Sequence, residues 1–136
     1  MHRLRTFLAA ALLVVPCVAR AQTWASPLGP EVAGATGSGF ASATYNPATF
    51  GLTISANWTG LSGTTTIAHI HCCTLVSNAG TVGVAVTPGT LPGFPVGSTT
   101  GTYFQTVNLN DPASFTTAFL TASGGTVARA PPCSRG

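Results

Sequence analysis

The chain has 136 residues, enough for one domain, and 45% of them are hydrophobic while only 5% are charged. Its formal net charge of +3 comes from the first 20 residues, because the two arginines beyond them balance Glu31 and Asp111. This composition excludes a disordered chain, which needs low hydrophobicity and high net charge. Because the charges beyond residue 20 cancel, the composition also predicts no basic surface that would bind nucleic acid or anionic membranes.

The first 21 residues have the organisation of a secretory signal peptide. A basic start with two arginines precedes a continuous apolar run at 7–15, and small residues at 19–21 lie where a signal peptidase cleaves. The run is well short of the ~20 residues that span a bilayer. Cys17 follows a proline, which is a poor residue before a lipidated cysteine. We therefore expect cleavage after Ala21, a secreted or periplasmic mature chain, and no stable membrane insertion of that chain.

Residues 22–33 contain two prolines and are predicted to be a flexible lead-in to a β domain at 34–128. Strict alternation within that domain predicts a strand with one buried face at 50–59. A partner strand is expected at 40–45, joined to the first through an Asn-Pro turn. The buried face of the 50–59 strand consists of Phe50, Leu52, Ile54, Ala56 and Trp58.

Three further strands are predicted downstream. The first covers 67–73, and the second covers 81–87, where three valines alternate on one face. A loop rich in proline and glycine follows at 87–97, and the last strand covers 102–109. Short strands separated by turn residues favour an all-β fold.

Only one segment has helical spacing, and it starts at Asp111. Aspartate is a good N-cap, Pro112 is a good first helical residue, and Gly124 can end the helix. Its apolar face is formed by Phe115, Ala118, Phe119 and Ala122. The predicted fold is an antiparallel Greek-key-like sandwich or barrel with one short helix near the C-terminus, followed by an irregular tail at 129–136.

The segments WTGLSG at 58–63 and AHIH at 68–71 resemble the CHRD domain, which is common in bacterial exported proteins. The resemblance continues through 93–103 and 119–126 and covers roughly 34–128. It implies an extracellular β module without catalytic activity and with a binding or structural role. Beyond 126 the sequence departs from the closing strand of that family, so we expect a truncated C-terminus and an empty position in the sheet.

His69 and His71 are candidate metal ligands. On a strand they project from the same face about 6.6 Å apart, so their imidazoles could share one copper or zinc ion. This His-x-His pattern is also loosely similar to copper/zinc superoxide dismutases. A complete site needs further ligands, and the remaining donors, Glu31, Asp111 and Cys133, form no recognisable ligand pattern. The alternative is that the histidines make hydrogen bonds that fix the strand and a neighbouring loop.

Cys72 and Cys73 are candidates for a vicinal disulfide, because an exported chain reaches an oxidising compartment. Neighbouring Cα atoms lie ~3.8 Å apart across a trans peptide, less than the roughly 4.4–6.8 Å of an ordinary disulfide. Such a bond is therefore expected to be strained. Cys133 is the third cysteine of the mature chain, which leaves one without a partner.

Other enzyme classes find little support in the sequence. Only Glu31 and Asp111 could form the carboxylate pair of a glycosidase, and no Gly-x-Ser-x-Gly nucleophile elbow occurs. We therefore expect an exported, non-catalytic CHRD-like module that binds an unknown extracellular ligand or protein and needs neither a cofactor nor nucleic acid. The alternative is a copper- or zinc-dependent enzyme of the superoxide dismutase type that uses His69 and His71.

Overall fold

The computed structural model describes residues 20–74, 80–125 and 127. These residues form two antiparallel sheets, one of four strands in the order β1-β2-β3-β6 and one of two strands, β4-β5. The predicted all-β fold is confirmed. The strands are β1 (Gln22–Leu28), β2 (Ser38–Asn46), β3 (Gly51–Thr59), β4 (Ile70–His71), β5 (Val84–Val86) and β6 (Gly101–Asn108), followed by a 3₁₀ helix (Pro112–Ser114) and α1 (Thr117–Ala122). Nearly all of the predicted signal peptide and the whole predicted tail lie outside the described residues.

The alternation of β3 creates the core, as predicted. Leu52, Ile54 and Trp58 are buried, while Ser55 and Asn57 between them are exposed. We call the face that carries the buried residues the inner face of the four-stranded sheet. The second sheet and the loop after it pack on this face, and the buried core consists of Leu52, Ile54, Trp58, Ala85, Val86, Leu91, Tyr103 and Val107.

The flexible lead-in predicted at 22–33 is wrong over Gln22–Leu28, which is a strand. β1 pairs with β2 along its whole length, from Gln22 opposite Tyr45 to Leu28 opposite Gly39. The prediction failed because it took the two prolines of this segment as evidence against a strand. Proline is tolerated in an edge strand, where the missing N–H faces solvent. Every residue of β1 is exposed, as expected for an edge strand that is covered on neither face.

The strand predicted at 67–73 is much shorter, because only Ile70–His71 pairs with β5. The preceding backbone bonds to the loop at 87–97 and the residue after it. Leu91 donates to the carbonyl of Ala68 at 2.7 Å, and Thr65 donates to the carbonyl of Ser98 at 2.9 Å. The loop therefore takes the hydrogen bonds that a longer strand would have used.

The single helix predicted from Asp111 to Gly124 is split into the 3₁₀ helix and α1. Asp111 caps the first as predicted, accepting from the N–H of Ala113. Thr116 separates the two, because its N–H donates to the carbonyl of Ala85 at 2.9 Å and its hydroxyl donates to that of Val84 at 2.6 Å. These two bonds hold Thr116 extended against β5, and its hydroxyl then caps α1.

Candidate functional site

A row of small side chains crosses the inner face of the four-stranded sheet. Ser26, Ala41 and Ala56 lie opposite one another on β1, β2 and β3, and the row ends at Tyr103 on β6. On β1 and β3, larger side chains stand in the rows on either side, one strand repeat of about 6.6–6.8 Å away, whereas β2 carries Ala43 and Gly39 in those rows. Trp24 and Ile54 belong to one neighbouring row, and Leu28 and Trp58 belong to the other. The small residues therefore form the floor of a trough.

The trough is roofed by β4 and the loop at 87–97, which leaves a cavity of about 780 Å³ between the two layers. We call this cavity the apolar slot. Its volume lies in the roughly 300–1,000 Å³ range of small-molecule pockets, which are likewise mostly apolar. Its lining includes residues of both layers, among them Trp24, Leu28, Ala41, Ala56, Trp58, Ala68, His69, Ile70, Leu91, Phe94 and Tyr103.

The inner end of the slot is aromatic. The ring of Phe94 lies 5.2 Å from that of Trp58 and 5.4 Å from that of Tyr103, measured between centroids. The hydroxyl of Tyr103 donates to the carbonyl of Pro92 at 3.0 Å, and burial raises the pKa of Tyr103 above its usual 10.0. Tyr103 is therefore a neutral hydroxyl at physiological pH. The Nε1 of Trp58 is buried and has no hydrogen-bond partner among the described residues.

The outer end of the slot opens at the edge strand β1. Trp24 is 55% exposed and Leu28 is 41% exposed, although both point to the inner face. Elsewhere on that face the second layer buries several side chains of β3 and β6, namely Leu52, Ile54, Trp58, Tyr103 and Val107. The described part of the second layer thus covers the β3 and β6 half of the face and leaves the β1 half open.

The structure brings the two predicted metal ligands together, with their ring centroids 4.7 Å apart and their planes at 73°. His69 is half-buried and lines the slot, whereas His71 is exposed. The Nδ1 of His71 lies 2.6 Å from the carbonyl oxygen of Val82, so Nδ1 donates and Nε2 faces elsewhere. This bond joins β4 to the segment before β5, which is the role that the hydrogen-bonding alternative gives to His71.

No further metal ligand joins the histidines within the part of the chain that the structure describes. There, no group of three or more His, Cys, Asp or Glu side chains could hold a metal ion. Cys133, one of the three donors considered from the sequence, lies outside the described residues. Metal binding by His69 and His71 therefore stays a prediction.

The sulfur atoms of Cys72 and Cys73 lie side by side. The peptide bond between the two residues is cis, and their Cα atoms are 3.0 Å apart, closer than the ~3.8 Å expected of a trans bond. Cys72 is half-buried against the core, whereas Cys73 is exposed. The vicinal disulfide remains a prediction, and Cys133 lies outside the described residues.

The apolar slot was not predicted from the sequence. The alternation of β3 identifies Ala56 and Trp58 as inward-facing residues, and Trp58 is a core residue as expected. Recognising the floor also needs the pairing of β1 with β2, because only that register brings Ser26 beside Ala41. Small residues on separate strands leave no local pattern in the sequence.

Comparison with known proteins supports the resemblance that the sequence suggested. No helix among the described residues is both long and apolar enough to cross a membrane. No curated protein and no solved structure matches the chain. The family model of the CHRD domain matches residues 23–127, which includes almost all of β1 as well as the strands that follow. The chain therefore belongs to the CHRD domain family.

Proposed function

We propose that this chain is an exported, non-catalytic binding module and that the apolar slot holds its ligand. The observation that carries the proposal is the slot itself, a cavity of about 780 Å³ with a floor of small side chains and an aromatic inner end. Aromatic side chains offer a large contact area to an apolar ligand. Export rests on the signal-peptide pattern of the first 21 residues.

The open end at β1 supports binding over a purely structural role for the slot. A soluble domain gains by burying its large apolar side chains, yet Trp24 remains 55% exposed at the opening. A ligand that enters there would bury Trp24 and Leu28 without any rearrangement of the sheet. The binding energy would come chiefly from that apolar burial.

Filling the floor of the slot tests the proposal. Both tryptophans of the chain line the slot, so their two indole N–H signals in a ¹H–¹⁵N NMR spectrum report on its occupancy. We expect 2-ethylnaphthalene to shift these signals saturably in the wild-type protein recovered after export. Ala41→Leu fills the floor and should weaken binding at least tenfold.

The matched control is Ser55→Leu, which adds a leucine to the opposite, exposed face of the same sheet. This variant should bind the probe as the wild type does. Absence of saturable binding in the wild type, or equal loss in the two variants, would contradict a ligand site in the slot.

A second candidate function is a copper or zinc site at His69 and His71, as in a superoxide dismutase-like enzyme. The hydrogen bond from His71 Nδ1 to a backbone carbonyl favours it, because such a partner commonly orients a metal-binding imidazole. The nearby ring of His69 supplies a second nitrogen ligand.

Elemental analysis and a superoxide dismutation assay separate the two functions. Under the binding proposal, the His69→Gln/His71→Gln double variant stays folded and loses about 1–3 kcal/mol, the cost of leaving the Val82 carbonyl without its partner. Stoichiometric copper or zinc in the wild type that disappears in the double variant, together with its activity, would favour the enzyme.

A further inference from the structure

We propose that the outer face of the four-stranded sheet binds an uncharged polysaccharide. The outer face is the side opposite the inner face, and it consists of the side chains that alternate with the inward-facing ones on β1, β2, β3 and β6. None of these outer side chains is buried. The site therefore lies on the other side of the sheet from the apolar slot and does not depend on it.

One row of the outer face is made entirely of threonines, one on each strand. Strand register places side by side Thr23, Thr44, Thr53 and Thr106. At the ordinary spacing of strands this row spans about 14 Å. The hydroxyls bond in two pairs, Thr23 with Thr44 and Thr53 with Thr106, each at 2.9 Å. Each pair keeps one O–H to donate and lone pairs to accept, so the row presents fixed hydrogen-bonding groups to a partner rich in hydroxyls.

Two exposed phenylalanines stand beside the threonine row. Phe104 on β6 belongs to the next row and is 73% exposed, and Phe40 on β2 belongs to the row beyond it and is 47% exposed. At the ordinary spacings of strands and rows their Cα atoms lie roughly 12 Å apart. The face of an aromatic ring is electron-rich and attracts the C–H groups on the face of a sugar ring. The two rings can therefore contact different sugar units of one chain.

The absence of charge decides which class of partner the outer face fits. The four strands contain no aspartate, glutamate, lysine, arginine or histidine. A nucleic acid or an anionic polysaccharide would find no cation on these strands to attract it. Serine and threonine are under-represented among the residues that dominate protein interfaces, which disfavours a protein partner. A neutral polysaccharide needs only hydrogen bonds and ring contacts, and the outer face supplies both.

Adsorption to insoluble neutral polysaccharides tests this site. Protein recovered after export is mixed with microcrystalline cellulose or with chitin, and the protein left in solution gives a binding isotherm. We expect saturable adsorption to at least one of the two, equally strong at low and high salt because no ion pair contributes. Added polygalacturonate, a soluble anionic polysaccharide, should not displace the protein.

Two double variants and a control assign adsorption to the outer face. Phe40→Ala/Phe104→Ala should weaken it at least tenfold. Thr53→Val/Thr106→Val removes one hydroxyl pair and keeps β-branched side chains that suit a strand, so it should weaken adsorption about threefold to tenfold, the effect of one net hydrogen bond. Ile67→Ala is the control, since it removes an exposed apolar side chain outside the four-stranded sheet, and it should adsorb as the wild type does.

Three results would overturn this assignment. The first is no adsorption to either neutral polysaccharide, or adsorption that both double variants retain. The second is salt-sensitive displacement by polygalacturonate, which would give the outer face to an anionic polymer. The third is self-association of the wild type that the phenylalanine variant loses, without adsorption, which would make the face an interface between two copies of the chain. Should the phenylalanine variant fail to fold, the threonine variant still decides. The naphthalene titration of the slot is unaffected by each of these results.

Discussion

Gly101 leaves no room for a side chain beside Trp58. A Cβ atom placed on Gly101 would lie 2.6 Å from Cζ2 and 3.0 Å from Cε2 of the indole, whereas carbon atoms in contact prefer roughly 3.5–4.0 Å. The indole cannot move freely to relieve this contact, because Trp58 is only 6% exposed and stacks on Phe94. Gly101→Ala should therefore force the core to shift.

We expect Gly101→Ala to lower the free energy of unfolding by about 1–3 kcal/mol, the usual cost of overpacking a core. Gly63→Ala is the matched control, because nothing lies within 4 Å of its added Cβ and its φ is not in the left-handed region. The control should change stability only through the unfolded chain, gaining at most about 1 kcal/mol.

Equilibrium unfolding in urea measures both values, and an unchanged m-value would show that the midpoint shift reports stability. If Gly101→Ala is as stable as the wild type, the indole of Trp58 does not lie against Gly101 and the inner end of the slot is arranged differently. If both variants lose the same stability, the loss does not come from the contact with the Trp58 ring.

Three further predictions concern export, the cysteines and the break in the helix. N-terminal sequencing of exported protein should find Gln22 first, and an uncut or lipidated chain would contradict the signal-peptide assignment. Alkylation without reductant, followed by mass spectrometry, should leave Cys72 and Cys73 unmodified if they form a disulfide, and modification of both would refute it. Thr116→Val should cost about 1–3 kcal/mol by removing a helix cap and a bond to β5. Thr117→Val, at an exposed position, should cost much less. Equal losses in the two variants would show that the hydroxyl of Thr116 neither caps α1 nor binds β5 as described.

The fold class could be predicted from the sequence because the patterns that indicate it are local. Residues of β3 alternate between the core and solvent with a period of two, and this period survives whatever packs against the strand. The turn after β2 and the cap at Asp111 likewise depend on residues next to one another in the chain. The same local patterns carried the CHRD resemblance, which the match over residues 23–127 confirms.

The remaining features depend on contacts between distant residues. Pro27 lies in a strand because β1 is at the edge of the sheet, and sequence alone cannot show which strand takes that position. Thr116 interrupts the predicted helix because Val84 and Ala85, about 30 residues earlier in the chain, supply better partners for its hydroxyl and N–H.

The candidate site shows the same division. The sequence singles out His69 and His71 as a chemically distinctive pair, but it places them as equivalents on one face of a strand. In the structure the strand is only two residues long, and the two histidines differ: His71 is exposed and bonds to Val82, whereas His69 is half-buried and is among the residues that line the slot. The floor of the slot exists because strand register aligns small residues that are far apart in the chain, and register is set by the packing of the whole sheet.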